Sequence, residues 1–206
     1  MCESLFPLPL PRNARLWHGK RVGIFGGSFH PPHEGHRLIA TEALNHFDLD
    51  AVWWMVSPKN PIKSTSGHQD FQERLAITTE FVSHPRMVVT DIEARLGTPY
   101  SYKTVLALKR LFPKTEFIWI AGMDNAVLFH RWNDWKKLSK LIPFVFFNRP
   151  PGMMKINNNR LRMLRTLAHR ADIRTAQEIE NKTVFWMYKG RSKNMSSTEI
   201  RNKTKR

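Results

Sequence analysis

Residues 21–36 read Arg21-Val22-Gly23-Ile24-Phe25-Gly26-Gly27-Ser28-Phe29-His30-Pro31-Pro32-His33-Glu34-Gly35-His36, and this stretch decides the fold. Residues 21–25 are a short apolar run of the length expected for a buried strand. Gly26 and Gly27 follow as a turn. Two glycines after a strand let the backbone approach a ligand closely and expose its N–H groups. A helical stretch then runs through Leu38, Ile39, Ala43 and Leu44, and its start is expected near His33. A helix start carries N–H donors without intrahelical partners and the positive end of the dipole, which together make an anion site. His33 and His36 lie three apart and share one face of that first turn. Gly35 between them leaves room for a ligand against the helix.

Outward from this stretch, strand and helix patterns alternate. Short apolar runs at 51–56, 87–90, 117–121, 142–147 and 184–187 read as further strands. Between them, apolar residues recur at helical spacing through Phe71, Leu75, Ile77, Thr78 and Phe81, and again over 101–111 through Val105, Leu108 and Leu111. Alternation of this kind predicts an α/β fold, a Rossmann-like doubly wound parallel sheet with helices on both faces. In such sheets ligands bind beyond the carboxyl ends of the strands, where the strand order reverses. The loops after Phe25, Val56, Ala121 and Phe147 are therefore where a site is expected.

The 206 residues, 41% hydrophobic with 13 Phe and 7 Trp, suffice for one sizeable core. A single domain is expected over 20–206. Residues 1–19, punctuated by Pro7, Pro9 and Pro11, are expected to be a flexible extension; they carry Glu3 and lack the apolar centre of a signal peptide. No apolar run reaches the ~18–20 residues of a membrane span, so no membrane partner is expected. The lone Cys2 cannot form an internal disulfide, and a reducing cytoplasm is the natural setting. A formal net charge of +16 favours anionic partners. Much of it lies in 155–206, where the basic run 201–206 reads equally as a solvated tail. A homo-oligomer is compatible with all of this.

Two imidazoles facing a phosphate can donate hydrogen bonds to its non-bridging oxygens, bonds that strengthen as charge develops in phosphoryl transfer. The turn is not a Walker A loop, because no Gly-Lys-Ser/Thr follows, and its glycine spacing is not the dinucleotide fingerprint. His33 and His36 as a metal pair lack a third ligand nearby; as core histidines they would do no chemistry. The pattern Gly26-Gly27-Ser28-Phe29-x-Pro31-x-His33-x-Gly35-His36 resembles the signature of the His-x-Gly-His nucleotidyltransferases. Within that superfamily it is similar to the bacterial nicotinate-nucleotide adenylyltransferases. Their pattern has Asp where this chain has His30.

Near the other end stands Met195-Ser196-Ser197-Thr198-Glu199-Ile200-Arg201. By itself it is a capping box, with Ser196 as N-cap, Glu199 three residues on, and Met195 against Ile200 as a staple. It also resembles the family's Ile-Ser-Ser-Thr-x-Ile-Arg motif, which implies that Ser196, Ser197, Thr198 and Arg201 grip a triphosphate. Between the two ends, Pro58-x-x-Pro61-x-Lys63 resembles a phosphate-side loop. Gly97-Thr98-Pro99-Tyr100-Ser101 resembles a stretch whose backbone N–H meets a nicotinate carboxylate, with Lys103 where an acidic residue is common. Gly122-Met123-Asp124 resembles a Gly-x-Asp, Asp124 reading either as a partner for an adenosine hydroxyl or as a helix N-cap. The resemblance puts Trp132 flat on the pyridine ring and the Asn133 N–H near its carboxylate. Trp132 and Trp135 read equally as core fillers. Asn148-Arg149-Pro150 is similar to the family's Arg-Pro-Gly loop, with a second proline, Pro151, before Gly152.

The resemblance, over roughly 20–203, implies transfer of the adenylyl group of ATP to nicotinate mononucleotide, giving nicotinate adenine dinucleotide and pyrophosphate in NAD biosynthesis. It implies His33, His36 and Arg201 as catalytic residues. ATP would meet Gly26, Gly27, Ser28, Phe29, Gly35, Lys63, Gly122, Asp124, Ser196, Ser197 and Thr198. The mononucleotide would meet Tyr100, Ser101, Trp132, Asn133 and Arg149. Mg²⁺ would enter with ATP, with no dedicated protein ligands. Rival acceptors are nicotinamide mononucleotide and phosphopantetheine. A basic nucleic-acid-binding module is the rival from another class, disfavoured because no recognised nucleic-acid-binding motif is present. A fragment of a His-x-Gly-His tRNA synthetase would need a Lys-Met-Ser-Lys-Ser loop, which Met195-Ser196-Ser197 only echoes.

Overall fold

In the computed structural model, which describes residues 4–58, 70–148, 159–174 and 179–189, the apolar runs become parallel strands. They are β1 (Arg21–Gly27), β2 (Ala51–Val56), β3 (Met87–Thr90), β4 (Glu116–Gly122), β5 (Phe144–Phe147), β6 (Ala168–Ala171) and β7 (Thr183–Met187). One seven-stranded sheet runs in the order β3-β2-β1-β4-β5-β7-β6, and every pairing is parallel. The order reverses between β1 and β4, so their carboxyl ends, at Gly27 and Gly122, open the switch point.

The helices are α1 (Glu34–His46), α2 (Phe71–Phe81), α3 (Ile92–Arg95), α4 (Ser101–Leu111), α5 (Met123–Leu128) and α6 (Trp135–Leu141). Strand side chains alternate between two cores, as the two-residue pleat requires. Ile24, Trp53, Met55, Trp119 and Phe144 pack against Val105 and Leu108 of α4 and Leu138 of α6. Phe25, Val52, Trp54, Ile118 and Val145 pack against Ile39, Ala43 and Leu44 of α1, with Leu75 of α2 beside them. The central strands are buried on both faces, which is why they read as continuous apolar runs. Gly23 in β1 is one reason the sheet closes so tightly: a Cβ there would stand 2.3 Å from Ile120 Cδ1. Among the described residues, no helix is long and apolar enough to cross a membrane.

Residues 4–19 do not behave as the flexible extension expected. Pro11–Trp17 forms a 3-10 helix with proline at its start, where the missing N–H costs nothing. Trp17 is fully buried; it stacks on Phe6 (5.3 Å between ring centres) and sets its edge on Trp53 (4.8 Å). The chain is also tied by Leu5 N–H to Pro85 O (2.8 Å) and Gly19 N–H to Lys114 O (2.7 Å). Strand β6 is absent from the sequence-based reading. Its Ala168-His169-Arg170-Ala171 has no apolar alternation and is half-buried to exposed, because it is an edge strand paired only with β7. The strand expected over 142–147 begins later, at Phe144, since Pro143 has no N–H to give a ladder and only accepts, from Trp119 N–H at 2.9 Å.

Candidate active site

The turn after β1 lies at the switch point. Gly27 pairs with Val56 in register, and Ser57 N–H donates to Gly27 O at 2.9 Å, so the exits of β1 and β2 leave the sheet side by side. Both glycines stand close against aromatic rings. A Cβ on Gly26 would meet the Trp119 ring at 3.0 Å, and one on Gly27 the Phe29 ring at 3.0 Å. Phe29 itself takes the left-handed conformation (φ 42°), a strained geometry held by burial of its ring against Phe25, Trp54 and His36. His30, in place of the family's Asp, is buried in the same turn.

His33 is the N-cap of α1 and His36 stands at its third position. They form a reciprocal capping box: Gly35 N–H donates to His33 Nδ1 (3.1 Å), and His33 N–H donates to His36 Nδ1 (3.2 Å). The arrangement has the logic of a serine–glutamate box built from imidazoles. Because each Nδ1 accepts, each ring is neutral and carries its proton on Nε2. The rings lie 3.7 Å apart between centres, a distance at which two imidazolium charges would repel. The cap therefore delivers a pair of Nε2–H donors, oriented by the backbone, at the opening of a helix.

On the adjacent strand exit, Gly122 is the N-cap of α5. Asp124 sits in the first turn of that helix, which removes the N-cap reading for it; the helix follows β4, the neighbour of β1. The chain then passes through a short 3-10 helix to Trp132. Trp132 is half-buried, its ring edge-on to Trp119 (5.7 Å) and tilted against Phe129 (5.2 Å), while Asn133 is exposed. Trp135 rests on the same core by its edge (6.2 Å to Phe129). Tyr100 is the N-cap of α4 and Ser101 its first residue. Lys137 of α6 lies 5.7 Å from the Tyr102 ring, so the early turns of α4 and α6 meet. Lys103 is exposed over the Tyr100 ring.

Two residues with no place in the sequence-based site are buried beside it. Arg74 of α2 donates through one guanidinium nitrogen to Ser28 O (2.8 Å) and Ser57 O (2.9 Å), and through the other to Pro58 O (3.1 Å). Burial lowers its pKa and the Asp70 carboxylate opposes that; an arginine remains cationic throughout. Glu93 of α3 accepts from Ser57 Oγ (2.7 Å) and Thr104 Oγ1 (3.2 Å). Burial pushes its carboxyl above the ordinary carboxylate range, against the two hydroxyl bonds, which favour the ionised form. A raised pKa in the folded state makes the ionised group a cost to stability; the cost is present above that pKa and is relieved as pH falls through it. A signal existed for Arg74: it lies three after Phe71 and four before Thr78, on the inward face of α2. Glu93 offered none.

Lys63, Arg149, Ser196, Ser197, Thr198 and Arg201 lie outside the described residues, as does Pro61. Among the described residues no group of three His, Cys, Asp or Glu gathers into a metal site.

Residues 24–203 match the family model described as cytidylyltransferase-like. A protein of Agrobacterium fabrum named as a probable nicotinate-nucleotide adenylyltransferase is 37% identical over 185 residues, which cover 89% of this chain and 99% of that one. A protein of Ruegeria pomeroyi with the same name is 44% identical over 132 residues, covering 64% of this chain and 62% of its own length. Among solved structures, the nicotinic acid mononucleotide adenylyltransferase of Plasmodium falciparum, complexed with APC, shares the fold with a TM-score of 0.64 at 17% identity, over 89% of this chain and 83% of that one.

Proposed function

Because the chain belongs to the cytidylyltransferase-like family, among its nicotinate-nucleotide adenylyltransferases, we propose that it transfers the adenylyl group of ATP to nicotinate mononucleotide. A 5′-phosphate oxygen of the mononucleotide attacks the α-phosphorus of ATP in line. The new O–P bond forms as the bond from the α-phosphorus to the bridging oxygen breaks, and pyrophosphate leaves with that oxygen. The observation that carries this reading is the reciprocal cap of His33 and His36 at the switch point. Two neutral imidazoles, each with Nε2–H as donor, suit the oxygens of a phosphate gaining charge, and they need no proton transfer to act.

The neighbouring groups divide between the substrates. The backbone of Gly26, Gly27 and Ser28 and the opening of α1 at Gly35 form the anion side. Phe29 props the ring of His36, and Gly122 with Asp124 faces the adenosine. Lys63, Ser196, Ser197, Thr198 and Arg201 are assigned to the triphosphate on their motifs, and Arg149 to the mononucleotide. A Mg²⁺ ion entering with ATP would offset phosphate charge, carried on phosphate oxygens and water. The reaction is assigned to the cytoplasm.

On the acceptor side, Trp132 supplies an aromatic face for a cationic pyridinium, and the first N–H groups of α4 at Ser101, with the Asn133 N–H, suit a carboxylate. Trp132→Ala is expected to raise KM for nicotinate mononucleotide about tenfold, with KM for ATP held within about twofold and partial recovery in Trp132→Tyr. Steady-state kinetics with each substrate varied reads this. An unchanged acceptor KM, or equal rises in both constants, would remove Trp132 from the pyridine site.

A further inference from the structure

Arg74 and Glu93 are 5% and 3% exposed, and the chemistry above uses neither. A buried charge is costly to keep and is retained only where its hydrogen bonds are specific. The bonds here are specific in an informative way. The fork of Arg74 reaches main-chain carbonyls of two different strand exits, Ser28 after β1 and Ser57 and Pro58 after β2. Glu93 takes the hydroxyl of the same Ser57 and, with its other oxygen, that of Thr104 in the first turn of α4. A continuous polar path thus runs from Ser28, beside the histidine turn, through Arg74 to Ser57, and through Glu93 to the opening of α4.

We propose that Arg74 and Glu93 are positioning residues that set the ATP-side turn and the pyridine-side helix opening at a fixed separation, through their shared hold on Ser57. The proposal rests on the adenylyltransferase reading, because that reading gives the two ends of the path to different substrates. Its physical basis is the geometry of in-line transfer. The attacking oxygen and the α-phosphorus are bound by different segments, and displacing one segment by about 1 Å can cost about a hundredfold in rate. The two strand exits are also joined directly, by the Ser57 N–H bond to Gly27 O. The guanidinium is suited to the task because its planar fork reaches several acceptors at fixed angles, which an ammonium does not do.

The test uses the full chain, with pyrophosphate release from ATP and nicotinate mononucleotide and thermal melting measured together. Arg74→Lys keeps the charge and loses the fork. It is expected to lower kcat about a hundredfold and raise KM for ATP about tenfold, with the acceptor KM within about twofold. Glu93→Gln keeps the shape and removes a buried charge. It is expected to melt no lower than the wild type yet to raise the acceptor KM about tenfold, with KM for ATP within about twofold. A residue that only supported the fold would not lose acceptor binding while keeping its melting temperature. The double variant should fall short of the product of the single effects, since both act through Ser57.

If Arg74→Lys fails to fold, Ser57→Ala takes its place; it deletes only the hydroxyl that Glu93 accepts and should reproduce the Glu93→Gln pattern. Wild-type constants in folded Glu93→Gln and Ser57→Ala overturn the proposal, as do KM values for both substrates that rise together only with a lowered melting temperature. If the wild type releases no pyrophosphate with this acceptor, the reading of the substrate fails instead. Calorimetric titration with ATP alone then judges the clamp, with about tenfold weaker binding expected for Arg74→Lys and wild-type binding overturning it.

Discussion

Replacing His36 by alanine is expected to lower kcat by about a hundredfold or more, the loss seen when a donor to developing negative charge is removed. The effect should fall mainly on kcat, because the Nε2–H bond strengthens as charge moves onto the phosphate oxygens and contributes less to the ground state. Alanine also takes away the Nδ1 that His33 N–H meets at 3.2 Å, so part of the loss could be structural. His36→Gln separates the two. Glutamine three residues after an N-cap is an ordinary capping-box residue, so it should restore helix capping and the melting temperature while leaving kcat low. Rates at saturating substrate together with melting curves of both variants read this. Recovery of kcat in His36→Gln would mean that the imidazole serves the cap and not the phosphate.

Trp17→Ala is expected to cost about 3–5 kcal/mol of folding stability, the usual range for deleting a fully buried tryptophan. For a chain of this size that corresponds to a fall of about 10 °C in melting temperature. The indole bridges Phe6 and Trp53, so its removal also loosens the segment from Ser4 to Trp17, which keeps its backbone ties at Pro85 and Thr115. Turnover of the folded enzyme should change little. Trp17 lies before β1, beside Thr115 and Glu116 at the amino end of β4, and the histidine turn is at the carboxyl end. Thermal melting and kcat per folded molecule check both parts. A large loss of kcat at temperatures where the variant is folded would show that this segment reaches the site.

The packing of residues 4–19, where a flexible extension was expected, has a physical source. Pro7, Pro9 and Pro11 mark backbone that cannot form regular ladders, and sequence alone does not say whether such backbone is loose or is pinned by one large side chain. Trp17 pins it, and a lone aromatic in a short segment carries no periodicity to announce itself. The sheet was legible for the opposite reason: the central residues of β1, β2, β4, β5 and β7 are buried on both faces and had to be apolar. Strand β6, half-solvated at the edge, had no such constraint. Within the site, the spacing of His33 and His36 implied a shared face, yet the reciprocal bonds behind it were not apparent, because histidine is not among the usual N-cap residues. Trp132 illustrates a case that sequence left open between core filler and ligand face; it is half-buried, with its ring packed against Trp119 and Phe129. Arg74 and Glu93 were missed because what they bind is backbone and hydroxyl groups, for which no residue pattern exists.

The reaction proposed for the histidine turn is adenylyl transfer to a nicotinate acceptor. Its most direct test is pyrophosphate release by the wild-type chain with ATP and Mg²⁺, run side by side with nicotinate mononucleotide and nicotinamide mononucleotide. Rapid release is expected with the nicotinate form, with nicotinate adenine dinucleotide accumulating in equal amount, and a kcat/KM at least about tenfold lower with the nicotinamide form, whose amide cannot use N–H groups aimed at a carboxylate. Equal or faster turnover of the nicotinamide form, or no release with either, would contradict it.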